Sequence, residues 1–144
     1  ALVDAGFVVV ANGGGGIPVV RDEHGHLLGV EAVIDKDHGA ELLARTVEAD
    51  VLVIATDVPQ AVLRFGTPEV EPIGRIAVEE LRAHAEAGHF ASGSMGPKVD
   101  AACRFVERGG RYAVITDLAN IVDAVHGDAG TVVVPAEPRD PRHH

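Results

Sequence analysis

Four short apolar runs, rich in β-branched residues, stand out along the chain: residues 7–11 (FVVVA), 51–55 (VLVIA), 112–116 (YAVIT) and 131–134 (TVVV). Runs that are apolar at almost every position are typical of strands buried on both faces, as in a parallel sheet covered by helices. The pattern therefore predicts four strands of one mostly parallel central sheet.

Between these runs, apolar residues recur at the spacing of one helix face. The i, i+3, i+4, i+7 pattern occurs at Ala40/Leu43/Ala44/Val47, at Val99/Ala102/Cys103/Val106 and at Leu118/Ile121/Val122/Val125. A fourth helix is predicted over residues 78–87 and ends at Gly88. For the helix around Ile121, Asp117 is a suitable N-cap and Gly127 a suitable C-terminal glycine.

Two excursions interrupt this alternation of strands and helices. Residues 17–34 predict a β-hairpin carried on the main sheet, with its turn in EHGH, and residues 59–76 form a second excursion rich in Pro and Gly. Residues 1–6 resemble the last turn of a helix capped by Gly6, so the chain is expected to begin within an α/β unit. We predict an α/β fold with three αβα layers and a hairpin excursion.

Length and composition fit one domain with an aliphatic core. The chain has 144 residues, 47% of them hydrophobic but only 3% aromatic. We expect this domain to span residues 1–136, and the Pro-rich, charged residues 137–144 to form a disordered tail.

Charge and cysteine content narrow the partners and the compartment. The net charge of −10 argues against nucleic acid or an anionic membrane as the main partner. No apolar run approaches the ~18 residues of a membrane span. A single cysteine excludes a disulfide framework and a cysteine-rich metal site, and fits a reducing cytoplasm.

Polar residues follow three of the four predicted strands. They are Asn12, Gly13 and Gly14 after the first, Thr56 and Asp57 after the second, and Thr116 and Asp117 after the third. Ligands of open α/β sheets bind beyond the carboxyl ends of the strands. Turns also need these residue types, so any one position has a purely structural interpretation as well.

Two further motifs contain lysine. In AVIDKDH, Lys36 lies between two aspartates at a helix entrance: either an exposed salt-bridged turn, or a site where Asp37 orients Lys36 toward an anion. In GSMGPK, Pro97 fits the first helical position and Lys98 the first turn, where the helix dipole disfavours a cation. A bound phosphate would compensate for that charge, or Lys98 extends into water. Neither a Walker A motif nor GxGxxG occurs.

Several longer segments of the chain together resemble one known family. The segments ANGGGGIPV, GVEAVIDKD, ADVLVIATDV, FGTP, GHFASGSMGPKVDAACRFVERGGRYAVIT and GDAGTVV together resemble carbamate kinases, of the amino acid kinase superfamily. The resemblance runs in order from Phe7 to Val134 and covers only the C-terminal, nucleotide-binding half of such an enzyme. The other half would hold an N-terminal glycine loop, another catalytic lysine and much of the carbamate pocket.

The resemblance implies an activity and its residues. Carbamate kinases transfer the γ-phosphoryl group of ATP to carbamate, reversibly giving carbamoyl phosphate and ADP, with Mg²⁺. Lys36 is then expected to contact the transferring phosphoryl group, and Lys98 to contact the ATP phosphates. Asp37 is expected to organise the lysines around it. The expected nucleotide residues are Thr56, Asp57, Ser94, Met95 and Gly96, and those on the acceptor side are Asn12, Gly13 and Gly14.

The glycines of that acceptor segment would leave room for a small planar acid and present bare N–H groups to developing negative charge. No histidine or other side chain is assigned to a metal, and Cys103 is expected in the core. Val62 stands where relatives commonly have tyrosine, which leaves nucleobase packing at that loop open.

Three hypotheses follow. The chain is the nucleotide-binding half of a carbamate kinase whose other half is absent, encoded separately or lost; or a superfamily kinase for another small carboxylate or phosphate; or a non-catalytic nucleotide-binding or oligomerisation fragment. The resemblance also implies a homodimer, so the expected protein partner is a second copy or the missing N-terminal half. The kinase interpretation predicts that the ammonium groups of Lys36 and Lys98 converge near the turn of residues 12–16. A parallel sheet cut at one edge would also leave apolar surface and backbone groups without partners.

Overall fold

The computed structural model describes residues 2–91 and 93–136, which form eight strands and four helices. The strands are β1 (Val19–Arg21), β2 (Leu27–Gly29), β3 (Val51–Thr56), β4 (Val62–Leu63), β5 (Glu71–Pro72), β6 (Arg75–Ala77), β7 (Tyr112–Asp117) and β8 (Thr131–Val134). The helices are α1 (Lys36–Thr46), α2 (Val78–Glu86), α3 (Met95–Glu107) and α4 (Ile121–His126). Within this part of the chain, no helix has both the length and the apolar character needed to cross a bilayer.

Four strands form the central sheet, in the order β3-β7-β8-β6. The pairs β3/β7 and β6/β8 are parallel, whereas β7/β8 is antiparallel. Three of the four predicted strands are thus confirmed as β3, β7 and β8. The fourth member of the sheet is β6, which begins at the end of the excursion of residues 59–76 and was not predicted as a strand.

Helices cover both faces of this sheet, as predicted. On one face, Ala113, Ile115 and Val133 pack in the main core with residues of α2 and α3. On the other face, Val114 and Val132 pack against Ala124 of α4. The alternation of burial along β7 therefore separates two apolar layers, and the apolar face predicted for α3 is buried along its length.

The strand predicted over residues 7–11 is wrong. This segment has no strand assignment, and within the described chain no strand pairs with it. Val8 and Val10 are 96% and 97% exposed, and Phe7 is exposed as well. An apolar run becomes a buried strand only when a neighbouring strand offers backbone hydrogen bonds, and among the described residues no strand does so here.

The hairpin of residues 17–34 is confirmed as β1 and β2, which pair antiparallel around a turn at Gly25 (φ +83°). It is not carried on the main sheet, because β1 and β2 form a separate two-stranded sheet. The excursion of residues 59–76 contains a second such pair, β4 with β5. The two hairpin pairs β1/β2 and β4/β5 are therefore separate two-stranded sheets, while the end of the second excursion joins the central sheet through β6.

Two helices differ from their predicted apolar faces. In α1 the buried side chains include Asp37 and Glu41, whereas Leu42, Leu43 and Val47 are exposed. Of the predicted face, Ala44 is buried in the main core. The helix otherwise packs largely through polar residues, a property that hydrophobic periodicity does not predict. The short α4 buries Ala124 and leaves Leu118, Val122 and Val125 exposed.

Helix ends confirm some of the predictions and correct two. Gly88 and Gly127 follow their helices with φ of +85° and +80°. The N-cap of α4 is Asn120, and Asp117 instead ends β7, where its carboxylate accepts the Asn120 N–H at 3.0 Å. Helix α3 begins at Met95, so Pro97 is its third residue and not its first.

At the start of the described chain, Gly6 (φ +84°) has the predicted capping geometry. The N–H of Phe7 donates to the Leu2 carbonyl, and that of Gly6 to the Val3 carbonyl, which is the pattern of a Schellman cap. Ala1 and the predicted tail of residues 137–144 lie outside the described residues.

Candidate functional site

A cleft of about 520 Å³ opens where β3 ends. Because β3 and β7 are parallel and Thr56 pairs with Asp117, the polar ends of both strands lie at the same edge of the sheet, as predicted. The cleft is lined by Thr56, Asp57, Val58, Pro59, Gln60, Val62, Phe65, Pro72, His89, Phe90, Gly93, Ser94 and Met95. Four of the five residues predicted to hold a nucleotide are therefore neighbours in one cavity.

The fifth, Gly96, is not among the residues lining the cleft. It lies behind the cleft wall, where a Cβ atom would come 3.0 Å from the carbonyl oxygen of Phe90. Phe90 itself lines the cleft. Gly96 thus allows the start of α3 to approach this wall closely.

A buried threonine holds the outer wall of the cleft in place. The Thr131 hydroxyl accepts the Ala61 N–H at 2.9 Å and donates to the Ile73 carbonyl at 2.6 Å. Ala61 and Ile73 frame β4 and β5, so one side chain of β8 ties this excursion to the central sheet. The run TVVV predicts a strand but carries no sign of this bond.

Two lysines meet at one aspartate. Lys98 Nζ lies 2.9 Å from Asp37 Oδ2, and Lys36 Nζ lies 3.4 Å from the same oxygen. The side chains of Asp37 and Lys98 are 9% and 5% exposed, whereas that of Lys36 is 59% exposed. These are the only two lysines in the 144-residue sequence, so every lysine ammonium of this acidic chain is concentrated at one carboxylate.

The entrance of α1 positions this group. The Asp35 carboxylate caps the helix by accepting the N–H groups of Asp37 at 2.8 Å and His38 at 3.2 Å. Burial acts to raise the pKa of Asp35, but those two hydrogen bonds, together with the charges of His38 and Lys36, lower it below its usual value. An ionised cap fixes the first turn and, with it, the direction of Asp37.

The start of α3 connects the lysines to the cleft. Ser94 precedes α3 directly and Met95 is its first residue, and both line the cleft. Lys98 follows them by four and three residues, which places it on the same side of the helix. The group Lys36–Asp37–Lys98 is not part of the cavity lining, and the first turn of α3 connects it to the cavity that Thr56 and Asp57 border.

The glycine turn lies against the same helix entrance. The Asn12 side-chain nitrogen is 2.7 Å from the point where Gly39 of α1 would carry a Cβ atom. Gly15 has φ +153°, and a Cβ there would stand 2.5 Å from the Ile34 carbonyl oxygen. Gly13 and Gly14 face open space. Close backbone approach thus requires glycine at Gly15, while the two glycines predicted on the acceptor side leave free volume.

Several residues at this site were not predicted from the sequence. Phe65, His89 and Phe90 line the cleft. They lie in the segments FGTP and GHF, which were noted in the sequence only as part of the family resemblance. His38 forms a hydrogen bond with Asp100 of α3 at 2.8 Å. A histidine next to IDKD was visible in the sequence, but its partner is 62 positions away along the chain.

No group of three or more His, Cys, Asp or Glu side chains that could hold a metal ion occurs in the described residues. Cys103 is buried in the core, as expected, and burial raises the pKa of its thiol to about 11.

Comparison with known proteins gives consistent matches. The carbamate kinases of Thermococcus kodakarensis and Pyrococcus furiosus are 53% and 51% identical to this chain over 133 and 134 residues. The matches cover 92% and 93% of this chain but only 42% of each relative, so the chain spans less than half the length of these curated proteins.

A solved structure agrees with them. The carbamate kinase from Giardia lamblia bound to AMP-PNP superposes with a TM-score of 0.87 at 41% identity, covering 94% of this chain and 47% of that one. This match confirms the predicted α/β fold. The model of the amino acid kinase family matches residues 1–117. Because that match extends over more than half of the sequence, the chain belongs to the amino acid kinase family.

Proposed function

We propose that this chain supplies the C-terminal, nucleotide-binding half of a carbamate kinase. The reaction is the reversible transfer of a phosphoryl group between ATP and carbamate, giving ADP and carbamoyl phosphate. The observation that carries the proposal is the convergence of Lys36 and Lys98 on one Asp37 oxygen beside the cleft. The similarity to carbamate kinases, one of them solved with AMP-PNP, supports the choice of substrate.

The two lysines have different surroundings and, we infer, different roles. Lys98 is buried and fixed by Asp37, which suits a constant contact with the nucleotide phosphates. Lys36 is mostly exposed on a flexible stem, so its ammonium can follow the phosphoryl group as it moves. Transfer of this kind needs positioning and charge neutralisation more than covalent chemistry, and two ammonium groups supply both.

The remaining predicted residues fit around this pair. The base and ribose would occupy the largely apolar cleft, with Met95 in its apolar lining and Thr56, Asp57 and Ser94 as polar groups on its wall. Asn12, Gly13 and Gly14 lie at the entrance of α1 and would face the acceptor. Val62 lines the cleft, so the nucleobase would pack on an aliphatic side chain there.

Mg²⁺ is part of the proposed reaction but has no protein cage among the described residues. The Asp37 carboxylate is already occupied by two ammonium groups. Mg²⁺ commonly keeps several waters and binds through substrate phosphates. We therefore assign no residue of this chain to the metal, which would arrive with the nucleotide.

A companion segment is part of the proposal. The chain spans only 42% of the length of relatives that are named carbamate kinases. Val8, Val10 and Ile17 are exposed beside the glycine turn. An N-terminal half, encoded with this chain or separately, would cover this surface and complete the carbamate pocket. We further propose a cytoplasmic location and a homodimeric assembly.

The test is ATP synthesis from carbamoyl phosphate and Mg·ADP, with and without the purified N-terminal half of a relative. The proposal expects turnover only when both halves are present. Lys36→Ala and Lys98→Ala should each lower turnover about 10²–10³-fold, by analogy with removing one oxyanion donor.

The control is Arg75→Ala, which removes an exposed cation from the edge strand β6. Nearly full turnover by Lys98→Ala would contradict the proposed role. Nucleotide binding without turnover in any combination would instead favour a non-catalytic binding fragment. Turnover with the phosphorylated form of a different small acid as phosphoryl donor would favour another kinase of the family.

A further inference from the structure

Helix α1 carries Lys36 and Asp37, yet little apolar packing holds it in place. Leu42, Leu43 and Val47 are exposed, and the side chains that α1 buries include Asp37 and Glu41. Ala44 joins the main core, but the rest of the helix depends on other contacts.

Those contacts are polar bridges to α3 and its end. Lys98 donates to Asp37, His38 bonds Asp100, and Arg108 donates to Glu41 at 3.3 Å. The three bridges follow the same order along both helices. The first two join adjacent residues of α1 to positions two apart on α3, so both bridges connect the first turn of α1 to the first two turns of α3.

The Asp100 end of the His38 bridge is held from two further directions. Arg104 Nε lies 2.8 Å from Asp100 Oδ2, and Arg82 of α2 donates to Asp100 Oδ1. Arg82 is in turn held by both carboxylate oxygens of Glu107, at 2.8 and 3.0 Å. Glu107, Arg82, Asp100 and His38 therefore form a continuous chain of hydrogen bonds across three helices.

The ionised state of Asp100 determines which group donates in the His38–Asp100 hydrogen bond. Burial acts to raise the pKa of Asp100, but the hydrogen bond from Arg82 and the charges of Arg104 and Arg82 lower it. An ionised carboxylate accepts only, so the His38 Nε2 facing it carries the hydrogen. His38 thus donates to an acceptor that two arginines hold in place.

We propose that His38 is a positioning residue, which acts through Asp100 to hold the first turn of α1 against α3 and so keeps Lys36 and Lys98 on one carboxylate. The expected effect on phosphate binding rests on the proposed function. The structural role of His38, which is to hold α1 against α3, does not. His38 itself need not touch the nucleotide.

The test uses NMR of the chain labelled with ¹³C at the lysine ε-carbons, which gives one signal for each of the two lysines. His38→Leu removes the bridge and should move the ligand-free Lys98 signal toward that of an exposed lysine. It should also weaken binding of Mg·ADP about tenfold, the order seen when an outer partner that orients a ligand group is lost. His38→Gln can still donate to Asp100 and should restore both values to within about twofold.

Matched controls separate this role from a general effect on folding. His26→Leu breaks another His–Asp pair, His26 with Asp22 at 3.1 Å, on the exposed hairpin, and should change neither readout. If His38→Leu does not fold, His38→Asn tests the same loss with a shorter amide that fails to span to Asp100.

The possible outcomes are distinct. An unchanged Lys98 signal and ADP affinity in folded His38→Leu or His38→Asn would overturn the positioning role, as would equal damage from His38→Gln. If the wild-type chain does not respond to Mg·ADP, the proposed function fails. The ligand-free Lys98 signal still decides the role of His38 in that case.

Discussion

Two valine runs of similar composition have opposite surroundings in this molecule. Val133 in β8 is fully buried, with β7 on one side and β6 on the other, whereas Val8 and Val10 are almost fully exposed. The difference is not in side-chain chemistry but in backbone partners: β8 has two neighbours, and residues 7–11 have none among the described residues. An apolar run shows what a segment can bury, and its neighbours decide whether it does.

The largest expected contrast is in amide hydrogen exchange. Amides of β7 and β8 should be protected by about the global stability of the fold, and those of residues 8–11 should exchange nearly freely. We expect rates at least about a thousandfold apart, given typical domain stabilities.

The same measurement sharpens the comparison when the N-terminal half of a relative is added. Protection should then increase in residues 7–11 while β7 and β8 change little. Strong protection of residues 7–11 in the chain alone would show that they already have a partner, and the contrast between the two regions would disappear.

A smaller contrast is expected from matched substitutions. Val133→Ala removes two buried methyl groups and should lower the free energy of unfolding by about 2 kcal/mol. Val8→Ala should change it by less than about 0.5 kcal/mol, because the side chain is exposed. Urea denaturation of both variants measures this difference, and equal losses would mean that Val8 is packed in solution.

The smallest expected effect concerns the polar network that ties the helices of the buried region. The hydrogen bond and the charge of Arg82 lower the pKa of Glu107, although burial acts to raise it. Burial again acts to raise the pKa of Asp100, but Arg82 and Arg104 lower it. Carboxyl groups whose pKa is lowered by folding stabilise the protein at pH values above their pKa in the unfolded chain, 4.5 for Glu107 and 3.8 for Asp100. They lose that contribution as the pH falls through their pKa in the folded protein.

Arg82→Met should therefore cost about 1 kcal/mol at pH 7 and less at pH 3. Denaturation at both pH values checks this, with Arg75→Met as the control. A cost that is the same at both pH values would show that Arg82 acts through packing and not through charge.

The sequence was informative where one segment carries its own signal. Strands β3, β7 and β8, the apolar face of α3 and the glycines after α2 and α4 follow from local patterns. The hairpin turn at Gly25 does too. The predicted first strand failed because pairing is a property of two segments. The face of α1 was confirmed only at Ala44, because much of the packing of this helix is polar.

The candidate site shows the same limit. Lys36 and Lys98 were selected because each stands at a helix entrance that suits an anion, and the structure brings them to one aspartate. The partners of His38 and Thr131 are 62 and 58 to 70 positions away along the chain. Local spacing carries no information about such pairs, so their hydrogen bonds could not be predicted.

The central claim is that both lysines of this chain bind one phosphate chain. The most direct measurement follows the two ¹³C ε-carbon signals of lysine during titration with Mg·AMP-PNP. Our account predicts that both signals shift together and saturate with one dissociation constant, and that adenosine, which lacks phosphates, moves neither. Saturable binding that leaves the Lys36 and Lys98 signals in place would contradict it.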